Sequence, residues 1–404
     1  MTSEALAAEP TVPRVDMGEL APYADPTPLR HAAADAHSVT LTWADGYSAS
    51  FHHIWLRDHC ACPECRHPQT RERLVRVIDL PAELPAPAAA VDAEGALRLD
   101  WPAMPGFAPH ASRFDPGWLR QRAEADAPDP LAVDRRVPWD AGIAHDLPVI
   151  DHDAFMRTEA GLADWLRALE RYGFAILRNG PAAEGEVLRA AERVGWPRET
   201  NFGRHFDVVS KPDPNNAAYT AVALEPHADL PNWQRPPDFQ LLYCLANEAE
   251  GGESTLVDGL AAAEALQAED PEAYRLLAEL PVDFRFQDET ADIAHRAPVI
   301  GCDAQGRPTI IRFNNWIRDT LRLPADRVEP FYRAYRRLWQ LLRDPARVLR
   351  FTLRPGEMMA FDNLRVLHGR AAFDPNTGHR HLQGAYLDRD LVRSRQRVLA
   401  RGGG

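Results

Sequence analysis

The sequence predicts a mainly β protein with inserted helices: a small, mostly β module followed by a larger antiparallel barrel or sandwich. Three observations predict this. Short β-prone runs recur at uneven spacing, without the regular alternation of strand and helix that marks βαβ units. Hydrophobic residues make up 45% of the 404 and charged residues 26%, the balance of a globular chain. Three of the five cysteines fall within residues 60–65, inside the first group of strands.

The elements follow in order. Residues 1–35 are rich in Ala and Pro and read as a mobile tail. Residues 36–125 form the small module. Runs at 39–43 and 47–51 flank Ala44-Asp45-Gly46, a hairpin signal, and further strands are expected at 74–80 and 97–101. Residues 126–148, rich in Asp, Pro and Ala, read as a linker. The large domain is expected over 149–404. Helical spacing covers 161–172, 184–194, 260–280 and 328–342, and strands are expected at 173–177, 239–245, 255–257, 309–313, 350–353, 358–361 and 382–387. No internal repeat stands out.

Composition excludes some functions. The net charge of −13 argues against a nucleic-acid partner, because a phosphate backbone would be repelled. No run of about eighteen apolar residues is present to span a membrane. The N-terminus lacks a basic start followed by an apolar core, so a cytoplasmic location is expected. An odd number of cysteines without an export signal is a poor disulfide framework and favours metal.

The chemistry is concentrated in two constellations. In the first, His227-Ala228-Asp229 precedes an apolar strand, and His368-Gly369 closes another. Two histidines and one carboxylate on one face of Fe(II) leave the opposite face open for O2 and a chelating co-substrate. If the strand continues through the pair, His227 and Asp229 point the same way. An HxD pair alone carries little weight, and the chain has a second one, His205-Phe206-Asp207. Context favours His227. Gly251-Gly252-Glu253-Ser254 follows it, and Arg380 lies twelve residues beyond His368. A guanidinium there can grip the distal carboxylate of 2-oxoglutarate through two parallel hydrogen bonds, with Ser254 a weaker contact. In the second constellation, Cys60, Cys62 and Cys65 supply three thiolates. A closed tetrahedral zinc site needs a fourth ligand, for which His59, His67 and His110 are candidates.

The chain resembles the γ-butyrobetaine hydroxylase family, within the larger group that includes taurine dioxygenase. The resemblance runs from about residue 38 to 398. It is carried by Trp55-Leu56-Arg57-Asp58 leading into the cysteines, residues 215–219, 227–231 and 251–259, Phe313-Asn314-Asn315, and Arg380-His381-Leu382-Gln383-Gly384-Ala385-Tyr386. It implies a double-stranded β-helix (jelly-roll) core, Fe(II), 2-oxoglutarate, a zinc-bearing N-terminal domain completed by His110, and a homodimer. It further implies a trimethylammonium substrate, best read as γ-butyrobetaine, caged by Phe202, Phe206, Tyr219 and Tyr386. Asn216 and Asn314 or Asn315 would meet its anionic end. Two cage positions are Phe where the animal enzymes have Tyr and Trp, and Leu230 stands where they have a Tyr. Trimethyllysine, a trimethylammonium phosphonate or an amino-acid-like metabolite are the other substrate classes. A non-catalytic jelly-roll binding protein and a zinc hydrolase are the rival functions.

Overall fold

A computed structural model describes residues 14–20, 23, 27–123, 136–209 and 220–402. The chain divides into an N-terminal unit ending at residue 132 and a C-terminal unit beginning at 133. Among the described residues, no helix is long and apolar enough to cross a membrane.

The N-terminal unit is built from two three-stranded antiparallel sheets. One joins Leu29–Ala34, Ser38–Trp43 and Ser48–His52, and the other joins Ala88–Val91, Leu97–Trp101 and His110–Phe114. Their alternating apolar residues, among them Leu41, Trp43, Leu99 and Phe114, close one core. The expected tail is therefore shorter than 35 residues. Leu29–Ala34 pairs with Ser38–Trp43, and Val15 and Met17 are buried. No strand forms over 74–80. That segment makes a single turn at Val77–Asp79 with Leu74 and Ile78 exposed, and its Leu74 amide donates to the Cys65 carbonyl in the cysteine loop.

The C-terminal unit carries two main sheets. The larger has the order Val149–Asp151, Phe174–Arg178, Met358–Asp362, Phe239–Asn247, Arg380–Leu387 and Phe206–Val208. The smaller has the order Leu224–His227, Val366–Arg370, Ser254–Asp258 and Leu349–Phe351. Along Phe239–Asn247 the faces alternate. Leu241 and Tyr243 pack against the helices Glu159–Tyr172 and Glu186–Val194, whereas Leu242 and Cys244 join Leu256, Leu349 and Met359 in a cluster drawn from both sheets.

Two boundaries differ from expectation, and two elements are new. Part of the expected linker belongs to this unit, because Trp139 is buried against Phe174 at 5.1 Å and its indole N–H donates to the Tyr172 carbonyl. The helix expected at 260–280 is two, Gly259–Glu269 and Pro271–Glu279. Pro271 cannot donate to the first helix, and the Asp270 carboxylate caps the second at the Ala273 amide. A hairpin, Val282–Gln287 with Asp292–Ala297, and a terminal helix, Arg389–Gly402, were not anticipated.

Candidate active site

The smaller sheet brings the two distant histidines together. His227 and His368 are direct cross-strand partners, with rings 4.2 Å apart. Both turn Nε2 toward Asp229 Oδ1, at 3.4 Å and 3.9 Å. The His227 Nδ1 bonds the Glu225 carbonyl at 2.9 Å, which sets the ring and leaves Nε2 free to ligate. Burial, and then the neighbouring His227, push His368 down to about 3, so its imidazole is neutral. Burial alone would raise the Asp229 carboxyl, but His368, His227 and the Tyr386 hydroxyl outweigh it and hold the group ionised. Two imidazoles and a carboxylate, with ligand atoms within 4.8 Å of one another, fit a divalent metal.

Asp229 does not reach this position by strand alternation, because the strand ends at His227. It sits in a turn whose next residue, Leu230, has φ 54°. Two asparagines hold that turn. Asn363 accepts from the Asp229 amide at 2.7 Å and donates to the Asp229 carbonyl at 2.9 Å. Asn314 donates to the Ala228 carbonyl at 3.1 Å, while its own oxygen accepts from the Trp316 and Ile317 amides. Tyr386 then donates its hydroxyl to Asp229 Oδ2 at 2.9 Å. Asn363 was missed in the sequence, and nothing local distinguishes it from a turn residue.

The three donors lie on the wall of a cavity of about 320 Å³. Ser254, Asn314, Phe202, Phe206, Tyr386 and Arg380 also line it. Arg380 is buried, its Nε has no hydrogen-bond partner, and among the described residues no carboxylate pairs with it. Burial lowers it to about 10, so it keeps its charge at neutral pH. An uncompensated buried cation is unfavourable unless an anion arrives, and the distal carboxylate of a keto acid fits. The adjacent Arg370, not anticipated, donates to the Thr220 and Val222 carbonyls. Gly251 and Gly252 have φ of 86° and 71°, and a Cβ on Gly252 would lie 3.1 Å from Arg380 Nε. Gly384 has a similar role: a Cβ there would lie 2.3 Å from the Phe206 ring.

One expected residue lies away from the cavity. Asn315 is exposed and does not line the cavity. Its neighbour Asn314 does, because the turn points successive side chains in different directions. Asn216 and Tyr219 lie outside the described residues. The second His-x-Asp pair, His205 and Asp207, is not part of the three-donor cluster: Asp207 bonds His381 at 2.7 Å and Gln383 at 3.0 Å.

In the N-terminal unit, His110 Nε2 lies 3.3, 3.6 and 3.4 Å from the sulfurs of Cys60, Cys62 and Cys65. His59 is instead stacked on Trp55, and His67 accepts from the amides of Gln69 and Thr70. The hydrogen bond with Cys65 lowers the Cys60 thiol well below its ordinary range, against the opposing effect of burial and with further help from His110. Three sulfurs and one imidazole form a set suited to zinc.

Residues 138–386 match the taurine catabolism dioxygenase TauD, TfdA family. The chain belongs to that family. Residues 30–121 of this dioxygenase match the N-terminal region described as γ-butyrobetaine hydroxylase-like. It is 43% identical to γ-butyrobetaine dioxygenase of Pseudomonas sp. (strain AK-1), over 93% of this chain and 97% of the relative. It is 32% identical to human γ-butyrobetaine dioxygenase over 90% and 95%. With the mitochondrial trimethyllysine dioxygenase of Bos taurus it shares 32% over 86% and 82%.

Proposed function

We propose that this dioxygenase hydroxylates an unactivated C–H bond of a small quaternary-ammonium substrate, γ-butyrobetaine being the best single reading, with carnitine the product. The observation that carries it is the His227, Asp229 and His368 donor set on the wall of a cavity also lined by the buried Arg380, whose Nε has no hydrogen-bond partner. The 43% identity to a γ-butyrobetaine dioxygenase over nearly the whole chain supports the substrate. Fe(II) held by the three donors would supply oxidation of the substrate by O2, coupled to decarboxylation of 2-oxoglutarate to succinate and CO2. Arg380 and Ser254 would anchor the keto acid and fix its orientation. Tyr386 would steady Asp229 through its hydroxyl and present its ring, with those of Phe202 and Phe206, to the ammonium group. Asn314 keeps one amide hydrogen for the anionic end, after the Ala228 carbonyl has taken the other.

Cys60, Cys62, Cys65 and His110 would hold a structural zinc, since four protein donors leave no open position. The two sheets with their shared cluster support a double-stranded β-helix core. A homodimer rests on the family resemblance alone. The test is substrate-stimulated succinate release across betaines, trimethyllysine and free amino acids. γ-Butyrobetaine should give the highest kcat/KM, with release requiring Fe(II), 2-oxoglutarate and O2. Preference for trimethyllysine would shift the assignment to the other relatives, and preference for an uncharged amino acid would overturn the substrate reading.

A further inference from the structure

We propose that Phe286 is a specificity-determining residue, a further wall of the cavity that meets the substrate's alkylated ammonium group, and that Asn232 positions it. This rests on the quaternary-ammonium reading above and deepens it. Along Val282–Gln287, Val282, Phe284 and Phe286 alternate with more exposed polar residues. Val282 and Phe284 are absorbed in the apolar cluster beneath the helices, whereas Phe286, the last inward residue, lines the cavity instead. Its ring lies 5.7 Å from that of Phe202, edge to face. Phe202 is 6.1 Å from Phe206, and Phe206 is 5.3 Å from Tyr386. The four rings form one continuous aromatic wall, ending at the tyrosine whose hydroxyl touches Asp229.

Hydrogen bonds to main-chain carbonyls set the position of this wall. Asn232, fully buried three residues after Asp229, donates to the Ile293 carbonyl at 3.0 Å, and Ile293 is the cross-strand partner of Phe286. The other edge of the strand is tied by Arg285 N–H to the Ile317 carbonyl and by Asp319 N–H to the Asp283 carbonyl. The charge distribution indicates the ligand. Among the described residues that line the cavity, Asp229 is the sole carboxylate, and it faces the two histidines. A cation at the aromatic wall therefore meets ring faces rather than an ion pair. That suits a permanently charged alkylammonium, which cannot donate hydrogen bonds, better than a primary amine.

The experiment uses the full chain loaded with Fe(II) and 2-oxoglutarate. It measures calorimetric Kd, with kcat and KM from succinate release, for γ-butyrobetaine and for the analogue in which carbon replaces the quaternary nitrogen. Phe286→Leu and Phe286→Met remove the ring face by different routes, and Phe286→Tyr retains it. Both ring-less variants should weaken the betaine by roughly 3- to 30-fold while binding the neutral analogue like wild type. Phe286→Tyr should keep the wild-type preference, and Asn232→Leu should move the betaine in the same direction as Phe286→Leu. Equal weakening of both ligands, or no weakening of the betaine in a folded ring-less variant, overturns the inference and leaves the substrate reading standing. A wild-type enzyme that binds no trimethylammonium compound overturns the substrate reading, and the inference with it.

Discussion

The two donor clusters of this chain differ in how they are assembled. Cys60, Cys62 and Cys65 come from one short loop, and a single residue from elsewhere, His110, completes four donors. His227, Asp229 and His368 come from two strands distant in the chain and a turn, and they remain three. A full tetrahedral set favours stability, whereas an incomplete one on a cavity wall leaves coordination positions for reactants. The surroundings agree with this contrast. The backbone of the Asp229 turn is held by Asn363 and Asn314, and a buried cation, Arg380, lines the same cavity with no carboxylate paired to it among the described residues.

The largest effect should come from closing or emptying the four-donor set. If zinc holds the N-terminal unit, Cys65→Ala should abolish stoichiometric zinc and unfold that unit, since structural zinc contributes about 10–16 kcal/mol in small zinc-dependent folds. Elemental analysis and limited proteolysis would read this. Protein purified without chelator that contains no zinc and has three freely titratable thiols would remove the contrast altogether.

At the three-donor site the expected loss is in turnover, not in fold. His227→Ala, Asp229→Ala and His368→Ala should each lower substrate-dependent succinate release by more than about 100-fold, beyond what changes outside the ligand set produce. Their melting temperatures should stay close to wild type. His205→Ala should retain activity, because His205 lies outside the cluster. Full activity in the His227 variant with loss in the His205 variant would reverse the assignment.

Arg380→Lys sharpens the comparison by keeping charge and removing the planar fork. Its KM for 2-oxoglutarate should rise roughly 10- to 100-fold with kcat less affected, the range for a charge-assisted hydrogen bond lost at a buried site. An unchanged KM would mean that the keto acid is held elsewhere. The smallest change is expected from Asn363→Ala. This leaves the amide and carbonyl of Asp229 without their partners and should cost about 1–3 kcal/mol of stability. Iron affinity should fall about 10-fold as the carboxylate loosens, measured by competition with a chelator. A variant that loses stability without losing iron affinity would make Asn363 a fold residue only.

The sequence by itself determined the donor types and much of the secondary structure. Cys-x-Cys-x2-Cys, His227-x-Asp229, the glycine pair before Ser254 and the spacing from His368 to Arg380 are local patterns, and their chemistry follows from residue type. The strands around Phe239, Met358 and Leu382 were legible from apolar periodicity. The alternation Val282, Phe284, Phe286 is a strand pattern in the sequence, but that its last ring faces the cavity is a property of the fold. Tertiary structure decided the rest. It chose His110 over His59 and His67, because the strand His110–Phe114 delivers an imidazole to the sulfurs while the other two are held by local contacts. It placed Asn314 in the cavity and Asn315 in solvent, and it aimed Asp229 by clamping a turn rather than by continuing a strand. The physical reason is that sequence spacing specifies which groups share a local face. Which distant groups meet is set by strand register and by the requirement that buried polar atoms find partners, and both are properties of the whole packed chain.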